Sequence, residues 1–268
     1  MRVRDLMAHF REIGTWVDWE ISVDRVLHGD AETQVRGIAA AWIASEYVAR
    51  TAAARGLNLI VSHEGLYWDE PNLPETAFRA LKDRCKLYDE LGVTVVRCHD
   101  VWDRMPEFGI GAAWAQWLGF EIEDQAAIGD ELGPKRAYYS VCMTGGMTVG
   151  RLAEEIAKRC APLGQSAVFL AGDSARAVER LAVGTGAFTP LHEMMQLEPD
   201  AMLVTDDGNR WTRDCLCAEG LGVPLIWVTH PVSELPGMIR MVEYLAERFP
   251  RVRTEYVPVE FPRTVRGD

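Results

Sequence analysis

The sequence predicts an α/β protein of two lobes, each with a mostly parallel sheet flanked by helices. Three observations predict this fold class: short β-rich runs alternate with helical stretches, several β-rich runs are continuously apolar, and a Gly- and charge-rich stretch lies near the middle of the chain. Alternating strands and helices are typical of βαβ units, and strands buried on both faces read as continuous apolar runs. At 268 residues the chain is long enough for two cores.

The first lobe is predicted over residues 1–130. It opens with a helix, and the runs GIAAAW, NLIVS and VTVVRC are then predicted as strands. Helices over SEYVARTAAAR and ETAFRALKDRCKLYDEL separate the strands, and a helix over GAAWAQWLGF closes the lobe. The segment from Gly129 to Ala137 is predicted to be a linker. The opening helix is indicated by apolar residues at helical spacing: Val3, Leu6, Met7, Phe10 and Ile13.

The second lobe is predicted over residues 131–268 and repeats the rhythm. Its predicted strands are YYSVCM, AVFLAG, RLAVGTG, AMLVTD and PLIWVT. The predicted helices are VGRLAEEIAKRC, LHEMMQ, WTRDCLCAEG and SELPGMIRMVEYLAERF.

Composition excludes several classes of function. The net charge of −12 opposes attraction to nucleic acid, because such binding depends on Lys and Arg at phosphates. No apolar run approaches the roughly 20 residues of a spanning helix, and the charged N-terminus is unlike a signal peptide. We therefore expect no membrane segment and a cytoplasmic location. The six scattered cysteines are expected to be free thiols, including Cys215 and Cys217, which lie two apart in a predicted helix.

Candidate functional residues follow three of the predicted strands. In open parallel sheets the ligand crevice lies beyond the carboxyl ends of the strands, so polar residues there are the first candidates. Imidazole nitrogens and carboxylate oxygens are also ligands for divalent cations. Each strand tip supplies a histidine and a carboxylate: His63 with Glu64, His99 with Asp103, and His230 with Glu234.

Each tip taken alone also has a purely structural explanation. Pro231 favours a helix start, so His230 is expected to cap that helix and Glu234 to lie one turn on, where an acid is favourable without any ligand. A histidine such as His63 is often a satisfied core residue, and Asp103 is suited to capping a helix. The joint occurrence of the three tips favours a metal site, because buried acids and histidines without partners are costly.

The chain resembles the Nif-three-like dinuclear metal-centre proteins, also called type 2 GTP cyclohydrolase I-like. The three motifs carry this resemblance, which runs nearly from end to end of the chain. VSHEGLYW stands in the place of a His-His-Pro-Leu-like motif, CHDVWD in that of His-Thr-x-x-Asp, and THPVSE in that of His-x-x-x-Glu. The runs GIGAAWAQWLGFE, LAVGTGAF and AMLVTDDGNRW also look like family counterparts. The resemblance covers residues 1–268.

The resemblance implies two divalent metal ions per chain, whether Fe, Mn or Zn, and a ring-like homohexamer. It implies as metal ligands His63, Glu64, Asp103, His230 and Glu234. It also implies metal-dependent hydrolysis of a nucleotide or heterocyclic substrate, since such centres activate water for attack. The alternatives are a non-catalytic metal-binding regulatory or interaction protein and a plain α/β scaffold. The substrate does not follow from the sequence.

Position 64 departs from the family pattern, which has a second histidine there. With Glu64 as a ligand the centre would be harder and would favour iron or manganese; alternatively, Glu64 does not bind metal and only one ion binds tightly. His99 is expected to orient ligands, with proton transfer as its catalytic option. Tyr67, Trp68 and Trp102 are read as core or as a pocket wall, and the Val183–Gly186 turn as a tight turn or an anion cradle.

Overall fold

The computed structural model describes residues 1–66, 74–125, 138–208, 210–260 and 264–265. It divides into two compact units: unit 1 is Met1–Met105 with Met238–Glu260, and unit 2 is Pro106–Gly237 with Phe261–Asp268. This division differs from the predicted boundary at residue 130, because residues 106–125 belong to unit 2 and the chain later returns to unit 1. The predicted linker from Gly129 to Ala137 lies outside the described residues.

Unit 1 contains a five-stranded sheet in the order β1-β4-β3-β2-β11. The β2–β3, β3–β4 and β2–β11 pairs are parallel, and only β1 runs antiparallel to its neighbour, so this sheet is mostly parallel as predicted. The pairing of β11 with β2 explains why the C-terminal residues belong to unit 1. The strands are β1 Val26–His28, β2 Gly37–Ala41, β3 Leu59–Ser62, β4 Thr94–Arg97 and β11 Arg253–Tyr256.

The helices of unit 1 form where apolar spacing and caps predict them. The first helix buries four of its five predicted apolar residues, while Ile13 is half-buried. The second begins after Ser45, whose Oγ accepts a hydrogen bond from Val48 N at 3.2 Å, and the third ends at Gly92 in the left-handed conformation. These helices are α1 Val3–Ile13, α2 Glu46–Ala54, α3 Glu75–Leu91 and the short α4 Asp100–Asp103.

Unit 2 contains a six-stranded sheet in the order β5-β6-β8-β9-β10-β7. Only β8–β9 and β9–β10 are parallel, so this sheet is mixed and departs from the mostly parallel sheet that was predicted. The strand–helix rhythm does not report strand direction, and the edge strands β5 and β7 carry polar or exposed residues. The strands are β5 Glu121–Gln125, β6 Ser140–Thr148, β7 Phe169–Ala171, β8 Ala177–Val183, β9 Ala201–Thr205 and β10 Leu225–Val228.

Helices cover this second sheet on both faces. Successive residues of β9 alternate between two apolar clusters, with Leu203 in one and Met202 and Val204 in the other. No helix in the described part of the chain is both long and apolar enough to cross a membrane. The helices are α5 Ile110–Leu118, α6 Val149–Cys160, α7 Leu191–Met194, α8 Trp211–Leu221 and α9 His230–Arg248, of which α9 begins in unit 2 and continues into unit 1.

Candidate metal centre

The first candidate site lies at the tips of β3 and β4 in unit 1. These strands are parallel neighbours with Ser62 beside Arg97, so the residues that follow them emerge at the same edge of the sheet. His63 and Glu64 follow β3, and the residues from His99 to Asp103 follow β4. The register therefore brings two of the predicted tips together.

His63, His99 and Asp103 form one compact group with ligand atoms within 4.8 Å of one another. His63 Nε2 lies 3.3 Å from Asp103 Oδ1, and His99 Nδ1 lies 3.3 Å from Asp103 Oδ2. The two imidazole rings stack with their centroids 4.4 Å apart. His63 and Asp103 are buried, and nitrogen and carboxylate donors in this arrangement fit a divalent cation.

Asp24, which the sequence analysis did not single out, holds the second of these tips. Its buried carboxylate accepts hydrogen bonds from the backbone N–H groups of His99 at 2.5 Å, Asp100 at 3.0 Å and Val101 at 2.9 Å. These donors are the groups left unsatisfied at the start of a helix, here α4. Asp24 thus fixes the turn that carries His99 and Asp103.

His99 lies among carboxylates that set its charge. Burial lowers the pKa of His99, but Asp103 and a hydrogen bond to Asp100 outweigh burial and raise the pKa of His99 to about 9. Burial raises the pKa of Asp100, but hydrogen bonds from His99 and Ser22 outweigh it and bring the pKa of Asp100 well below its usual range. The neighbouring carboxylates therefore favour the protonated form of His99.

Glu64 lies beside a buried arginine. Arg97 Nη2 donates to Glu64 Oε2 at 3.0 Å, and Arg97 Nε donates to the carbonyl oxygen of His63 at 3.1 Å. Both side chains of the ion pair are largely buried. This cationic partner of the predicted ligand is remote in sequence and reaches Glu64 through the pairing of β3 with β4.

The second candidate site lies at the start of α9 in unit 2. The helix begins at His230 itself, not after it as predicted, and Asp206 Oδ1 accepts a hydrogen bond from His230 N at 2.6 Å. The ring lies between carboxylates, with Nδ1 2.9 Å from Asp207 Oδ2 and Nε2 3.0 Å from Glu234 Oε1. His230 and Glu234 thus face each other across one helical turn, as their spacing predicts.

A glycine turn after β8 braces this pair. Gly186 adopts φ +54°, and a Cβ on it would clash with Glu234 Oε1. Gly186 N donates to Ser233 Oγ at 3.0 Å, and Thr185 Oγ1 lies 3.2 Å from the same oxygen. The Val183–Gly186 segment is therefore a tight turn that packs against α9, and the amide of Gly186 serves this contact.

The aromatic residues and cysteines that the sequence raised as candidates are packed in the core, are free thiols, or lie outside the described residues. Trp102 is fully buried against Tyr244, with ring centroids 5.4 Å apart, so it is a core residue. Tyr67 and Trp68 are not among the described residues. The six cysteines are free. The structure thus groups His63, His99 and Asp103 in unit 1 and pairs His230 with Glu234 in unit 2.

Fold and sites together define a two-unit α/β protein with groups of histidines and carboxylates at its strand ends that could hold a metal ion. The model of the Duf34/NIF3 (NGG1p interacting factor 3) family matches residues 1–263, and the chain belongs to this family. This confirms the family resemblance seen in the sequence. The search of curated proteins found no match.

Solved structures share the fold at low sequence identity. The protein ybgI, described as of unknown function, is 18% identical, with 98% of this chain and 100% of that chain covered and a TM-score of 0.77. A Bacillus cereus protein related to NIF3 is 14% identical, with 100% and 99% covered and a TM-score of 0.78. Reduced HcgD from Methanocaldococcus jannaschii is 15% identical, with 97% and 98% covered and a TM-score of 0.69. These matches confirm the predicted fold class.

Proposed function

We propose that this chain is a metal-dependent hydrolase that binds two divalent ions through the His–carboxylate groups of its two candidate sites. The observation that carries the proposal is the buried group of His63, His99 and Asp103, whose ligand atoms lie within 4.8 Å of one another. The His230–Glu234 pair of unit 2 offers a second set of the same chemistry. The proposed ions are Fe, Mn or Zn, which accept mixed imidazole and carboxylate ligands.

Each residue has a proposed role within its own unit. His63 and Asp103 supply ligands in unit 1, and His230 and Glu234 supply them in unit 2. His99 orients Asp103 through its contact with Oδ2, and proton transfer remains its proposed catalytic role. When bound, divalent ions supply polarisation of a carbonyl or phosphoryl oxygen and activation of water. A nucleotide or heterocyclic substrate, cyclohydrolase-like chemistry and a cytoplasmic homohexamer are proposed on family resemblance.

Elemental analysis of anaerobically purified protein tests the metal proposal. We expect about two metal atoms per chain in the wild type, since each unit offers one His–carboxylate group, and less in both His63→Ala and His230→Ala. His192→Ala is the matched control, because His192 is an exposed histidine of unit 2 and its loss should leave the metal content unchanged. Metal content near zero under every loading condition would contradict the proposal.

A substrate panel with the metal-loaded protein separates catalysis from metal binding alone. Phosphoesters, nucleotides and cyclic amides are the substrates to offer, and His63→Ala should abolish any turnover found. Chelation followed by sizing completes the test of the proposed hexamer. A loaded protein that turns over none of the panel but loses its oligomeric state on chelation would establish the non-catalytic alternative.

A further inference from the structure

The register of β3 and β4 places the guanidinium of Arg97 beside the carboxylate of Glu64. Arg97 ends β4 directly beside Ser62 of β3, and only 9% of its surface is exposed. Its Nε is anchored on the carbonyl oxygen of His63, and its Nη2 holds Glu64 Oε2 at 3.0 Å. One guanidinium therefore ties together the backbone of one predicted metal ligand and the carboxylate of the next.

The environment makes this ion pair costly to break. The side chains of Arg97 and Glu64 are 11% and 22% exposed, so their charge-assisted hydrogen bond is poorly screened by water. Moving Glu64 onto a cation would break this charge-assisted hydrogen bond in a poorly hydrated environment, which is unfavourable. Family resemblance implies a neutral histidine at this position, so Glu64 adds a negative charge that Arg97 balances.

We propose that Arg97 withholds Glu64 from the metal, so that position 64 supplies a charge partner and not a ligand. This inference rests on the proposed function and refines it, because unit 1 then binds its cation through His63 and Asp103. Arg97 is a positioning residue that sets the affinity of the site.

Mn²⁺ titration of the full-length chain, with free Mn²⁺ measured by electron paramagnetic resonance, tests the inference. Glu64→Gln should leave the Kd for Mn²⁺ nearly unchanged. Arg97→Met should tighten binding about tenfold, because a released carboxylate becomes a new hard ligand. The double variant should return to the wild-type Kd. Arg55→Met is the matched control, since it breaks the Arg55–Glu255 pair of the same unit and should change nothing.

The outcomes are decisive in each direction. Weakening by about tenfold or more in Glu64→Gln, the size expected when a metal site loses a ligand or its close support, would overturn the inference. An unchanged Kd in Arg97→Met would overturn it too. Where Arg97→Met does not fold, Glu64→Gln alone decides. A wild type that binds no Mn²⁺ would contradict the proposed function. In that case the inference would stand only if Arg97→Met bound Mn²⁺ and the double variant did not.

Discussion

The first and second candidate sites use the same residue types but are held in different ways. In unit 1, charged side chains fix the backbone beside His63 and Asp103. Asp24 accepts hydrogen bonds from three amides after β4, and Arg97 donates to the carbonyl oxygen of His63 after β3. In unit 2, His230 and Glu234 stand on a single helix, and a glycine turn packs against them.

This difference predicts different weaknesses. The first candidate site depends on Asp24 and Arg97, which act on residues remote in sequence. Removing one of these charges should loosen the turn that it holds. The unit 2 tip depends on the absence of a side chain at Gly186, so adding one carbon should displace the carboxylate of Glu234. The charges also differ, because a guanidinium balances the acids at the first tip and the ring of His230 lies among Asp207 and Glu234 at the second.

The largest effect is expected from Asp24→Ala. Loss of the carboxylate leaves three amides of a buried turn without their acceptor, and we expect about 3 to 4 kcal/mol of lost unfolding free energy. Urea unfolding gives the stability, and Mn²⁺ titration should show weakened binding through the displaced Asp103. The matched control is Asp200→Ala, because Asp200 Oδ2 also accepts two backbone N–H groups but precedes β9, at the opposite end of that strand from Asp206 and Asp207. A loss of metal affinity in the control would contradict the assignment.

A smaller effect is expected from Gly186→Ala. The left-handed backbone and the clash of the new Cβ with Glu234 Oε1 should together cost about 2 kcal/mol and displace that carboxylate. Gly145→Ala is the matched control, since Gly145 has φ +66° with nothing within 4 Å of its Cβ position. Elemental analysis should show metal loss in the first variant only. Equal metal content in the two variants would mean that the turn does not brace Glu234.

The smallest effect is a pH dependence from His9, a buried histidine of unit 1 remote in sequence from both tips. Burial and then Arg248 lower the pKa of His9 below its usual 6.5. The unfolded chain therefore binds the proton more readily, so unfolding free energy should fall as pH drops below 6.5 and level off below the lowered pKa. His9→Gln should flatten this slope in urea unfolding at stepped pH. An unaltered slope in His9→Gln would assign the dependence to other groups.

The parts of the fold that the sequence predicted are those with two buried faces. The strands β2, β3, β4, β9 and β10 are buried throughout and read as continuous apolar runs. The strands β1, β5 and β11 were missed, because they lie at sheet edges and contain residues such as those of EIEDQ and RTEY. Edge strands are partly solvated and lose the apolar signature.

For the candidate site, sequence indicated the tips but not their supports. Histidines and acids directly after apolar strands are visible as a local pattern. Asp24 and Gly186 act on residues far along the chain, and Arg97 reaches Glu64 only because β3 and β4 pair in one register. Such contacts depend on the folded register, so local spacing does not contain them. The turn at Val183–Gly186 was itself predicted, but its contact with Glu234 was not.

The pairing of β11 with β2 has a consequence for synthesis of the chain. The strands β1 to β4 leave the ribosome long before Arg253–Tyr256, so the growing chain carries β2 as an open sheet edge while the Pro106–Gly237 segment of unit 2 is being made. An apolar edge with unused amides is a template for pairing with other chains. The nascent protein therefore has a window of vulnerability to aggregation that closes only when its last strand emerges.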